Sequence, residues 1–104
     1  MELKTKTWYT DYVNHMIKFY LSTPDSLTMT GRSEASVMNW IAVQAVFHTL
    51  SEKDRERVRR IYELDYHIPK AVAAYCSETG ADEQEVWKLI TRICARIARQ
   101  RKLV

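Results

Sequence analysis

The sequence predicts an all-α fold, five helices in a single domain with a helix-turn-helix at the C-terminal end. Three observations carry this expectation. Only two glycines and two prolines interrupt 104 residues that are otherwise rich in Ala, Leu, Lys, Glu and Arg. Apolar residues recur every three to four positions through most of the chain, the period of one helix face. Residues that cap helices stand at the head of several of those stretches. At this length one core is expected, with residues 1–50 supplying two bracing or dimerising helices and residues 51–104 a tri-helical helix-turn-helix unit.

Taken in order, residues 7–22 set Trp8, Tyr12, Val13, Met16, Ile17, Phe19 and Tyr20 on one broad stripe, a core helix that Pro24 should end. The stretch STPDSLTMTGRS mixes turn-formers with hydroxyl residues and reads as a loop. Residues 34–49 follow Ser33 or Ser36 as N-cap, and the run from Trp40 to Phe47 is apolar almost all round. Such a helix belongs at the centre, and any side left bare is a surface for a second copy of the chain. In residues 51–66, Ser51 and Asp54 have capping-box spacing, and Val58, Ile61 and Tyr62 form a narrow apolar seam. The rest of that helix is charged. Glu52–Arg55, Glu56–Arg59 and Glu56–Arg60 stand at spacings that permit ion pairs, so its arginines read first as a solvated face.

Residues 69–79 open with Pro69, whose missing N–H is no loss in a first turn, and carry Val72, Ala73, Tyr75 and Cys76 on one face. Gly80 supplies the positive φ of a sharp stop. Asp82 and Glu85 then form a capping-box start for a helix over 83–101, with Val86, Leu89, Ile90, Ile93, Cys94 and Ile97 as its apolar stripe. After Glu85 there is no acidic residue, while Lys88, Arg92, Arg96, Arg99, Arg101 and Lys102 all follow.

The net charge is +3, and its placement says more than its size. Residues 1–50 balance, four basic against four acidic, so the whole excess lies in the second half and hints at a polyanionic partner. Cys76 and Cys94 fall on apolar faces and form neither a disulfide framework nor a zinc motif; they read as small buried hydrophobes in a reducing cytoplasm. No stretch is apolar for long enough to span a bilayer, and MELKTKTW lacks the apolar run of a signal peptide. His15, His48 and His67 are scattered, with no paired-ligand spacing and no glycine-rich phosphate loop. No enzyme activity, metal or cofactor is therefore expected.

A short helix, a glycine turn and a longer helix with a basic stripe do offer a reader of double-stranded DNA. With the apolar stripe turned inward, the outward positions at the start of the last helix are Glu83, Gln84, Trp87, Lys88 and Thr91. Gln84 has the groups to pair with adenine, Lys88 to donate to guanine, and Glu83 to accept from cytosine. Arg92, Arg96, Arg99, Arg101 and Lys102 suit phosphates. Glu83 and Glu85 pull the other way, because they favour the helix dipole yet repel a phosphate at its N-terminus.

Residues 50–100 resemble the C-terminal, region-four helix-turn-helix of sigma-70-type factors, which reads the −35 promoter element. Leu50, Ser51, Asp54 and Arg55 match the start typical of that family; Ala73 stands for its small residue, Gly80 for its turn glycine and Val86 for the apolar residue six positions on. Seven residues separate Ala73 from Gly80 where the family has four, about one extra helical turn. HMIKFYLSTPD and NWIAV are similar to small prophage transcription regulators of the ArpU/RinA type. The resemblance implies a phage or prophage regulator that contacts bases through Glu83, Gln84, Lys88 and their neighbours, with RNA polymerase and a second copy as further candidate partners. Two alternatives are a small DNA-packaging (terminase-like) subunit, marked by ring-sized particles, and a helical interaction module whose basic face meets an acidic protein.

Overall fold

A computed structural model of the chain describes residues 8–23 and 31–104. Five helices follow one another: α1 (Thr10–Ser22), α2 (Glu34–Phe47), α3 (Glu52–Leu64), α4 (Ile68–Thr79) and α5 (Glu83–Gln100). There is no strand among the described residues, so the all-α expectation holds. Three starts are capped as their residue types dictate. The side chains of Ser33, Ser51 and Asp82 accept from the backbone N–H groups of Ser36, Asp54 and Glu85, at 3.1–3.2 Å.

The last helix is the hub. It packs against α1, α2 and α4, while α3 rests on α4 and α1. Val86, Leu89, Ile90, Ile93, Cys94 and Ile97 are all buried as the stripe predicts, and Ala98 joins them. Val58, Ile61 and Tyr62 face the same core from α3. From α2 come Ala42, Val43, Val46 and Phe47, while Trp40 is buried apart from them, against Tyr20, with its indole N–H donating to the Thr23 carbonyl at 2.6 Å. The opposite side of α2 leaves Met38 and Ile41 exposed, and the helix packs mainly on α1 and α5. The central helix is therefore α5, and α2 lies at the side of the bundle, where its apolar run is covered on one face only.

Several expectations are corrected. Trp8 precedes the first helix and is 72% exposed, edge-on to Tyr9, and Tyr12 is exposed as well; the buried stripe of α1 narrows to Val13, Met16 and Ile17. Thr23 ends α1 by donating its backbone N–H to the carbonyl of Tyr20 at 3.1 Å; Pro24 and the body of the following loop lie outside the described residues. In α4 it is Ala71 that is sealed, and Ala73 faces solvent. A face anchored by Ile68, Val72 and Tyr75 takes in position 71, whereas position 73 lies a further 100° round the helix. The small residue that the resemblance assigns to this helix therefore takes no part in the core.

The ion pairs of α3 also differ. Arg59 pairs with Glu56 as the spacing suggests, and reaches Glu63 at 3.7 Å. Arg60 crosses to Glu78 of α4 at 3.0 Å in preference to Glu56. Arg55 turns away from Glu52 and donates to the carbonyls of Phe47 and Leu50 at 3.2 and 3.1 Å. There it fastens the turn that follows α2, where the Phe47 carbonyl also accepts from the Leu50 N–H at 3.1 Å.

Candidate nucleic-acid interface

Gly80, Ala81 and Asp82 separate α4 from α5. Gly80 has φ +78°, and a Cβ there would meet nothing within 4 Å. The glycine is thus required by its backbone angle rather than by space. Its N–H closes α4 on the carbonyl of Cys76 at 2.8 Å, and Asp82 starts the next helix at once.

The beginning of α5 presents Glu83, Gln84, Lys88 and Thr91 to solvent. Trp87 differs from these four. It is half-buried against the core and engaged by the rest of the chain. An indole one helical turn from both Thr91 and Glu83 sits at the edge of the exposed strip, where its apolar body gains from contact with α5's buried neighbours. Of the five base-contact candidates, then, Gln84, Lys88 and Thr91 share an open face, Trp87 borders it, and Glu83 is exposed beyond Trp87 on the side toward α4.

The basic residues divide in two groups. Arg96 donates to Thr49 Oγ1 at 2.8 Å, and Arg101 donates to Asn39 Oδ1 at 2.7 Å. Asn39 in turn donates to the Tyr12 hydroxyl at 3.0 Å, so Arg101 is tied to a bridge between α2 and α1. By contrast, Lys88, Arg92, Arg99 and Lys102 are exposed, and their side chains have no hydrogen-bond or ion-pair partner among the described residues. Spacings of four and seven keep Lys88, Arg92 and Arg99 on one side of the helix. The arginines of α3 form no part of this strip: Arg55 serves α2, Arg57 donates to the Tyr75 hydroxyl at 3.1 Å, and Arg59 and Arg60 are ion-paired.

Sequence reasoning missed a polar cluster under the interface. The Tyr62 hydroxyl donates to Asn14 Oδ1 at 2.6 Å, and the Cys94 thiol points at the same oxygen from 3.7 Å. Three helices meet in it. Burial pushes the Cys94 thiol up to about 11, against a smaller downward pull from the Tyr62 hydrogen bond. Burial likewise raises the Tyr62 phenol well above its ordinary value, and Cys94 adds to the effect. Both groups are therefore neutral hydrogen-bonding groups near pH 7, and Cys94 is no nucleophile. No periodicity signals such a cluster, because its members are 32 to 80 residues apart in sequence.

Among the described residues no group of His, Cys, Asp and Glu is placed to hold a metal ion. No described helix is long and apolar enough to cross a membrane. Against known proteins, no family model, curated protein or solved structure matches the chain.

Proposed function

We propose that this protein is a cytoplasmic, sequence-reading DNA-binding regulator of the phage type, with the exposed side of α5 as its reading surface. One observation supports the reading above the rest. Gln84, Lys88 and Thr91 lie open on the face where Lys88, Arg92 and Arg99 carry charge that nothing else in the described chain satisfies. Groups able to read base edges thus adjoin cations free to bind phosphates. Met38 and Ile41, the apolar side chains that α2 leaves bare, are where a second copy would pack to supply a second half-site.

The test is a titration against random and promoter-like duplexes at several salt concentrations. The double variant Arg92→Ala with Arg99→Ala should weaken binding to every sequence and reduce the salt slope by about 0.9 for each contact removed. Arg96→Ala should matter less, since its guanidinium already serves Thr49. Changing Gln84→Ala should alter preference at one base pair by on the order of 1–3 kcal/mol while leaving the salt slope alone. A protein that retains no duplex even at low salt refutes the reading, and capture of an acidic protein by the same face would replace it.

A further inference from the structure

A cleft of about 700 Å³ opens beside the reading surface, between α1, the link from α3 to α4, and α5. Its floor is apolar, formed by Ile68, Ile90 and Cys94, and its sides carry the rings of Tyr9, Tyr66 and Trp87. That volume and that mixture of aromatic walls with a few polar groups belong to small-molecule sites. The polar groups are not placed at random. Tyr62 fixes the amide of Asn14 by donating to its oxygen, so the Asn14 Nδ2 is the end left for the cleft, and it has no partner among the described residues. Lys18 lies at the rim, its ammonium on the carbonyl of Tyr66 and 3.6 Å from the centre of that residue's ring. Both of those partners are neutral. Two acids stand nearby: Asp65 accepts from the N–H of His67 at 2.9 Å and its field reaches Lys18, and Asp11 lines the cleft and is engaged by the rest of the chain.

We infer that this cleft binds a planar aromatic carboxylate, its rings between the aromatic walls and its carboxylate taken by Lys18 and the Asn14 amide. Desolvation lowers the Lys18 pKa despite the field of Asp65, and an anion drawn alongside would raise it again by favouring the ammonium. Charge-assisted hydrogen bonds of this kind favour a carboxylate over a neutral acceptor. Trp87 and Thr91 line the same cleft, so an occupant touches two of the residues assigned to base contact. Control of DNA affinity by that occupant rests on the proposed function; the binding site itself does not.

Naphthalene-2-carboxylate and its uncharged amide are the probes, titrated by calorimetry and by amide and indole NMR. The carboxylate should bind at one site, shift the Trp87 indole signal, and bind about ten-fold or more tightly than the amide. Lys18→Met should remove that preference. Asn14→Asp should weaken the carboxylate by about ten-fold or more, while keeping an oxygen for the Tyr62 hydroxyl and hence the fold. Absence of saturable binding overturns the inference. So does equal affinity for acid and amide, or binding that both variants leave unchanged. Duplex affinity measured with the site filled should change at least about threefold, and duplex should shift probe affinity by the same factor. If the probe binds and no duplex does, the DNA reading fails and the site stands; if duplex binds and the probe does not, the site fails alone.

Discussion

Replacing Tyr62 by Phe removes one oxygen from the core and leaves its packing in place. In the folded chain that oxygen donates to Asn14 Oδ1 at 2.6 Å and sits 4.0 Å from the Cys94 sulfur, on a side chain only 6% exposed. A hydrogen bond of this sort contributes about 1 kcal/mol net, and a fully buried acceptor left unpaired costs about 1–3 kcal/mol. Asn14 is only half-buried and keeps the weak thiol donor, so the cost falls near the lower figure, about 1 kcal/mol. For a domain near 100 residues that is a fall in melting temperature of roughly 4–8 °C. Calorimetry on Tyr62→Phe, Asn14→Leu and the double variant separates the pair from its surroundings. The two changes should be non-additive by at least about 0.5 kcal/mol. A Tyr62→Phe protein as stable as the parent, or strictly additive losses, would refute the cluster as a source of stability.

Two further outcomes follow from local geometry. Cys94 has a folded value of about 11 against an ordinary value of 9.0, so the unfolded chain releases this proton first. Stability is then unaffected by Cys94 below about pH 9 and falls between pH 9 and 11; urea unfolding should show a shallower alkaline decline in Cys94→Ala than in the parent. At the end of α5, Lys102 takes φ +63° while its N–H bonds to the Arg99 carbonyl and that of Leu103 to the Ala98 carbonyl, a helix stop that glycine makes without strain. Lys102→Gly should raise stability by about 1 kcal/mol in thermal melts, and at the same time weaken any duplex binding through the lost cation.

What the sequence makes legible is what depends on neighbours along the chain. The caps at Ser33, Ser51 and Asp82, the stop at Gly80 and the buried stripe of α5 are all set within a turn or two, and all are found as expected. Illegible were contacts that only the packing of helices creates. Arg55 and Glu52 have the spacing of a pair, yet that guanidinium goes instead to the carbonyls of Phe47 and Leu50 in the turn after α2. Arg60 likewise finds Glu78, 18 residues away. Within the candidate interface, the wheel anticipates the exposure of Glu83, Gln84, Lys88 and Thr91, because a helix with one wet side has few ways to lie. It does not anticipate that Arg96 and Arg101 are held by Thr49 and Asn39, or that a cleft borders Trp87.

Because α5 lies against α1, α2 and α4 at once, it cannot fray on its own. Peeling it away would strip seven buried side chains and leave the α1–α2 and α3–α4 pairs joined mainly by the contact of α1 with α3. Its middle amides should therefore exchange with heavy water only when the entire molecule opens, and the outer positions are the sole part of this rod that mutation can rewrite without dismantling the rest.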